Sequence, residues 1–168
     1  MGTLRATIGS IVFFFVAPGL VTGFVPWLMI RARPDLWPPS ASPRWLGLAA
    51  ILIGLAPLID SYARFATQGR GTPAPIAPPT RLVVTGFYRY VRNPMYVGVT
   101  LILIGEALLF ADMRVAAWAV FVLVAVNLFV RFYEEPTLAK TFGAAYADYR
   151  AAVPRWIPRL RPWEAQGD

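Results

Sequence analysis

The chain has 168 residues, 57% of them hydrophobic and 15% charged, with a mean hydropathy of +0.53 and a formal charge of +7. Soluble domains carry about 25% charged residues, so this chain is too apolar to keep a fully wetted surface. Cysteine and histidine are both absent, which excludes disulfides, thiol nucleophiles, an imidazole base and zinc-finger or haem-type centres. No metal site is expected, and the composition points to an all-α integral membrane bundle one domain long.

Four apolar runs follow in chain order, at 8–30, 45–66, 95–111 and 115–132. A bilayer core of about 30 Å takes roughly 20 apolar residues per helix, so three runs reach that length and the third is slightly short. The first run is too long and too weakly basic at its start for a cleaved signal, and is expected to be a span. Gly47 and Gly54 give the second run a small face for close helix packing, with its partner left open. Only Asp112-Met113-Arg114 separates the third run from the fourth, which predicts a tight antiparallel hairpin.

Four spans place both termini and the second loop on one side. That side holds Arg5, Arg64, Arg70, Arg81, Arg89, Arg92, Arg131, Lys140, Arg150, Arg155, Arg159 and Arg161. The other side holds Arg31, Arg33, Arg44 and Arg114. The positive-inside rule therefore predicts cytoplasmic termini. Basic residues that border spans, rather than lining a separate domain, point to anionic lipid headgroups and away from nucleic acid.

The second loop divides into a proline- and glycine-rich connector, 69–80, and an aromatic, basic segment, 81–93, suited to the interface. After Pro136 the spacing of Leu138, Phe142, Tyr146 and Tyr149 predicts a short cytoplasmic helix over 136–151. Three prolines forbid regular helix across 153–163.

Two motifs carry polar groups to the cytoplasmic side. In GFYRYVRNPMYVG (86–98), Asn93 and Pro94 read as a helix start, with asparagine as cap and proline in the first turn. Free amides, the helix dipole and the guanidinium groups of Arg89 and Arg92 suit an anionic group. In RFYEEP (131–136), Glu134 and Glu135 stand at a membrane boundary, where carboxylates are costly unless solvated or paired. Asn127, Arg131 and Glu134 form a polar stripe expected to face the start of the third span, opposite Arg89, Arg92 and Asn93. Asp60 is expected to pair with Arg64, and Glu106 with Arg114. Dinucleotide, Walker, GxSxG and HExxH motifs are missing, so any cofactor must sit between membrane helices and the tail.

The segment 86–98, the hairpin, Glu134-Glu135, FGAAYADY (142–149) and Val153-Pro154-Arg155 together resemble the isoprenylcysteine carboxyl methyltransferase and phospholipid N-methyltransferase superfamily. The resemblance implies a membrane enzyme that uses S-adenosylmethionine to methylate a lipophilic small molecule or lipid through a thiol, carboxylate or amine. It assigns Arg92, Asn93, Pro94, Tyr96 and Gly98 to the cofactor pocket, and Arg89 joins them from the reading of the helix start as an anion site. Glu134 and Glu135 would close that pocket, with Tyr146, Tyr149 and Arg155 supplied by the tail. Catalytic roles are assigned to Glu134, Glu135 and Arg155. The family usually has Arg-His-Pro where this chain has Arg92-Asn93-Pro94, and asparagine takes up no proton near neutral pH, so if that histidine serves as a base, its place falls to Glu134, Glu135 or an already ionised substrate. Sterol-type reductases, which use NADPH, share a similar Arg-His-Pro-x-Tyr-x-Gly segment, and a non-catalytic scaffold is the third reading. Oligomeric state stays open.

Overall fold

The computed structural model describes residues 17–32, 44–69 and 82–164. Among them the chain is all-helical, with no strand. A wide π-helical turn, Leu20–Phe24, leads into α1 (Val25–Arg31). Helix α2 (Arg44–Arg64) ends in a second such turn, Phe65–Gly69. A 3-10 turn, Gly86–Arg89, precedes α3 (Pro94–Phe110). Helix α4 (Met113–Phe129) passes through a third π-helical turn, Val130–Glu134, into α5 (Glu135–Ala152). The expected first run is described only from residue 17, and the connector lies outside the described residues from position 70.

Helices α2 and α3 pack backbone to backbone through two glycine pairs. A Cβ placed on Gly98 would meet Gly54 O at 2.6 Å, and one on Gly105 would meet Gly47 O at the same distance. The small face on the second run therefore has its partner in the same chain. Such an approach brings dispersion and Cα–H···O contacts that side chains would prevent. Leu58, Met95, Val99, Ile102, Leu103, Ala119 and Val122 fill the space where α4 closes on this pair.

The hairpin between α3 and α4 turns on two residues. Ala111 adopts the left-handed region (φ 50°) and ends α3, a conformation that costs a non-glycine residue about 1–2 kcal/mol. Asp112 caps α4, its Oδ1 accepting from Arg114 N at 2.8 Å. The same carboxylate binds the Arg114 guanidinium at 3.0 and 2.5 Å. This corrects the expected pair of Glu106 with Arg114: a carboxylate two residues away claims the arginine. Trp118 then ties α4 to the first element, its Nε1 donating to Val21 O at 2.9 Å.

Pro136 does not end the helix, contrary to the reading that started the tail there. The Glu135 amide reaches back to Val130 O, one residue further than in an α-helix, and this widened turn accommodates the proline ring. The helical path breaks instead at Gly143 (φ 53°, ψ −124°), a conformation that other residues rarely adopt. As expected, 153–164 is non-helical.

Large apolar side chains stay uncovered on the outer faces of α2 and α4, among them Trp45, Leu52, Phe121, Val124 and Phe132. Patches of this extent mark contact with lipid or partner. Helix α2 and the continuous run Met113–Ala152 are long and apolar enough to cross a membrane, whereas α3, at 17 residues, is shorter.

Candidate functional site

The start of α3 is held by the tail that follows α5. Backbone hydrogen bonds join Arg92 N to Pro154 O, Arg159 N to Tyr90 O and Trp163 N to Arg89 O, each at 2.9 Å. The tail thus runs antiparallel to residues 89–92. Beneath it, Tyr146, Tyr149 and Val153 are buried against Leu82, Val84 and Trp163. The Tyr149 hydroxyl donates to Tyr88 O at 2.7 Å.

Pro94 occupies the first turn of α3, as the sequence predicts, but Asn93 makes no side-chain cap. Its Nδ2 instead donates to Arg155 O at 3.1 Å, so the asparagine fastens the tail to the helix start. Beside it lies an ion cluster. Glu135, 5% exposed, accepts from Arg155 Nε at 2.7 Å and Nη2 at 2.8 Å. Arg92 Nη1 stands 3.2 Å from Glu135 Oε1, out of hydrogen-bond alignment. Among the described residues, Arg92 Nε and Nη1 are buried donors with no hydrogen-bond partner.

Glu134 and Glu135 lie past the apolar run of α4 and face different neighbours. Glu134 Oε2 accepts from the Tyr96 hydroxyl at 3.1 Å, its one hydrogen bond among the described residues. Burial pushes the Glu134 carboxyl above its ordinary range; the tyrosine bond opposes this and the charge of Glu135 adds to it. Burial acts on Glu135 in the same direction, but the Arg155 bonds and the charge of Arg92 outweigh it and hold this carboxyl below its ordinary value.

Not every expected site residue converges here. Arg92, Asn93, Tyr96, Glu134, Glu135 and Arg155 do, with Tyr146 close enough to feel the charges of Glu135 and Arg92. Arg89 is drawn away: its Nε donates to Trp163 O at 2.8 Å and its Nη2 pairs with Glu164 at 3.0 Å. Gly98 faces α2 and makes the close contact with Gly54. Arg131 is exposed and leaves the expected stripe, because the π-helical turn shifts the register of the helix face.

A second, open recess of about 570 Å³ lies on the α2 side of α3, lined by Ile53, Pro57, Val97 and Leu101 with Asp60 and Arg89 near one end. Here the expected Asp60–Arg64 pair is present at 2.8 Å. Arg64 Nη1 also donates to Thr85 Oγ1 at 2.8 Å. Gly86 (φ 56°) lies so close to this guanidinium that a Cβ would overlap it. Sequence reasoning missed Asn127 as an anchor: its Oδ1 accepts from Trp156 Nε1 at 3.1 Å. A tryptophan among prolines and arginines in the tail was the available signal, but its partner lies 29 positions away.

The phospholipid methyltransferase family model matches residues 43–145, which include α2, the 86–98 segment, the hairpin and both glutamates. The chain belongs to the phospholipid methyltransferase family. It is also 35% identical over 86 residues to a methanethiol S-methyltransferase of Crocosphaera subtropica, a match covering 48% of this chain and 30% of that protein. The chain therefore spans less than a third of the length of that curated relative. Family and relative are both named for methyl transfer, and the cluster just described falls within or directly beside the region matched by the family model.

Proposed function

We propose that the protein transfers a methyl group from S-adenosylmethionine to a lipophilic acceptor at the cytoplasmic end of the α3–α4 hairpin. The observation that carries this reading is a pair of unsatisfied groups of opposite charge. Among the described residues, the buried Arg92 has an Nε without a hydrogen-bond partner and an Nη1 held only by the charge of Glu135, and Glu134 has a single hydrogen bond. A buried polar group without a partner costs free energy that a ligand can recover. An amino acid moiety fits both needs, with its carboxylate toward Arg92 and its ammonium toward Glu134.

When bound, S-adenosylmethionine supplies an electrophilic methyl on a positively charged sulfur. The chain's own residues bind, orient and keep water out. Tyr96 fixes the Glu134 carboxylate, while Glu135 and Arg155 hold the tail over the helix start. With Asn93 unable to take up a proton and Glu134 engaged by the ammonium, the acceptor reacts in its ionised form, as a thiolate or carboxylate, or as a free amine, and needs no proton acceptor on the chain. The recess beside Val97 and Leu101 suits the apolar body of the acceptor. A thiol is the acceptor to test first, since the similar protein is named for thiol methylation; lipophilic amines and carboxylates follow.

Four membrane spans with cytoplasmic termini complete the proposal, supported by the distribution of basic residues. The test is calorimetric titration of S-adenosylmethionine into detergent-purified protein, with NADPH in parallel. Saturable binding of S-adenosylmethionine alone is expected. Binding of NADPH alone would overturn the proposal in favour of a reductase, and binding of neither in favour of a scaffold.

A further inference from the structure

The tail reaches α4 through one side chain. The Trp156 indole donates to Asn127, which precedes Phe132 by five positions, so the tip of the ring lies about 7 Å inside the apolar run at 1.5 Å per residue. Pro158 borders the recess beside Ile53 and Val97. Next to this tryptophan Ile157 is 78% exposed, and Leu160, beyond Pro158, is 99% exposed. Apolar side chains at the level of an apolar helix face meet acyl chains rather than water.

The charges around them match an anionic surface. Arg161 is exposed and carries no ion pair among the described residues. Arg131 is exposed on the same end of α4, its guanidinium 5.8 Å from the Phe132 ring centre. Arg159 is committed elsewhere, donating to Ala152 O at 3.1 Å. We infer that residues 156–161 form a membrane-surface anchor. In it, Ile157 and Leu160 enter the outer acyl region, and Arg161 and Arg131 engage the headgroups of anionic lipids. The anchor is continuous with the backbone bonds from Arg159 to Tyr90 and from Trp163 to Arg89, so lipid contact supports the segment that leads into α3.

The absence of cysteine allows single-site labelling. Spin labels at Ile157→Cys, Leu160→Cys and, as an aqueous reference, the exposed Lys140→Cys would be compared in two kinds of vesicle. One is phosphatidylcholine alone and the other contains added phosphatidylglycerol. The expected ratio of oxygen to nickel-chelate collisions at positions 157 and 160 is several-fold above that at 140, and rises further with phosphatidylglycerol. In the Arg131→Gln, Arg161→Gln double variant that second rise disappears. A ratio equal to the Lys140 reference overturns the anchor, and loss of both kinds of collision overturns it in favour of a protein partner. Equal depth in the two vesicles overturns the headgroup role of the arginines.

Discussion

Glu134 and Glu135 share a peptide bond but not an environment. Glu134 keeps bonding capacity for a ligand, whereas Glu135 is taken up by Arg155 and Arg92. Glu134→Gln is therefore expected to weaken S-adenosylmethionine binding by about tenfold, or ~1.4 kcal/mol, while the tail stays docked; calorimetry and limited proteolysis together check this. Glu135→Gln is expected to free the tail first, seen as faster proteolytic cleavage after Arg155. The lowered carboxyl of Glu135 also fixes the pH dependence of docking. Its contribution is fully present above the ordinary value of 4.5 and is lost as pH falls through the lowered one. Tail cleavage should accordingly rise only once the pH falls below the ordinary value of 4.5, and the Glu135→Gln variant should lose that acid dependence. The residue types of this cluster were legible in the sequence, since a basic helix start and a glutamate pair needed one another. Which glutamate each arginine chose was not, because that depends on the register of a π-helical turn that no local pattern announces.

At the level of elements, the glycine contacts decide how α2 and α3 sit. Gly98→Ala would place a methyl 2.6 Å from Gly54 O, with backbone rather than a flexible side chain in the way. Overpacking of this kind costs about 1–3 kcal/mol. A lowered unfolding temperature in detergent is the expected outcome, whereas Gly23→Ala, with nothing within 4 Å, should leave it unchanged or raised. Gly143→Ala tests a different constraint: space is open there, but φ is +53°. It is expected to straighten α5 and weaken the packing of Tyr146 and Tyr149 on Leu82 and Val84, read as faster amide exchange along residues 144–152. Helices α2, α3 and α4 were readable from hydrophobic run length. The hairpin was readable from its three-residue spacer, and the glycine face from its seven-residue spacing. The helical passage through Pro136 was not, because proline normally marks an end and only the widened turn before it reverses that reading.

For the whole molecule, the uncovered apolar faces of α2 and α4 suit a lipid surround, and the proposed direction across it rests on the basic residues. Single cysteines at Met113, 81% exposed in the hairpin, and at Glu164 in the tail allow that direction to be measured. A membrane-impermeant thiol reagent applied to intact cells should label the first and spare the second. Labelling of the second alone would invert the proposed topology. The docking of residues 153–164 on 89–93 was the least legible feature at this scale. It rests on backbone bonds between segments more than 60 positions apart, and main-chain groups leave no trace in side-chain pattern. The contact between α2 and α3 also has a meaning for traffic. Two helices that touch through bare backbone at Gly47–Gly105 and Gly54–Gly98 leave no gap between them wide enough for water or an alkyl chain. That seam is sealed between these two positions, so whatever enters or leaves there must pass along its flanks, on one of which the recess lies.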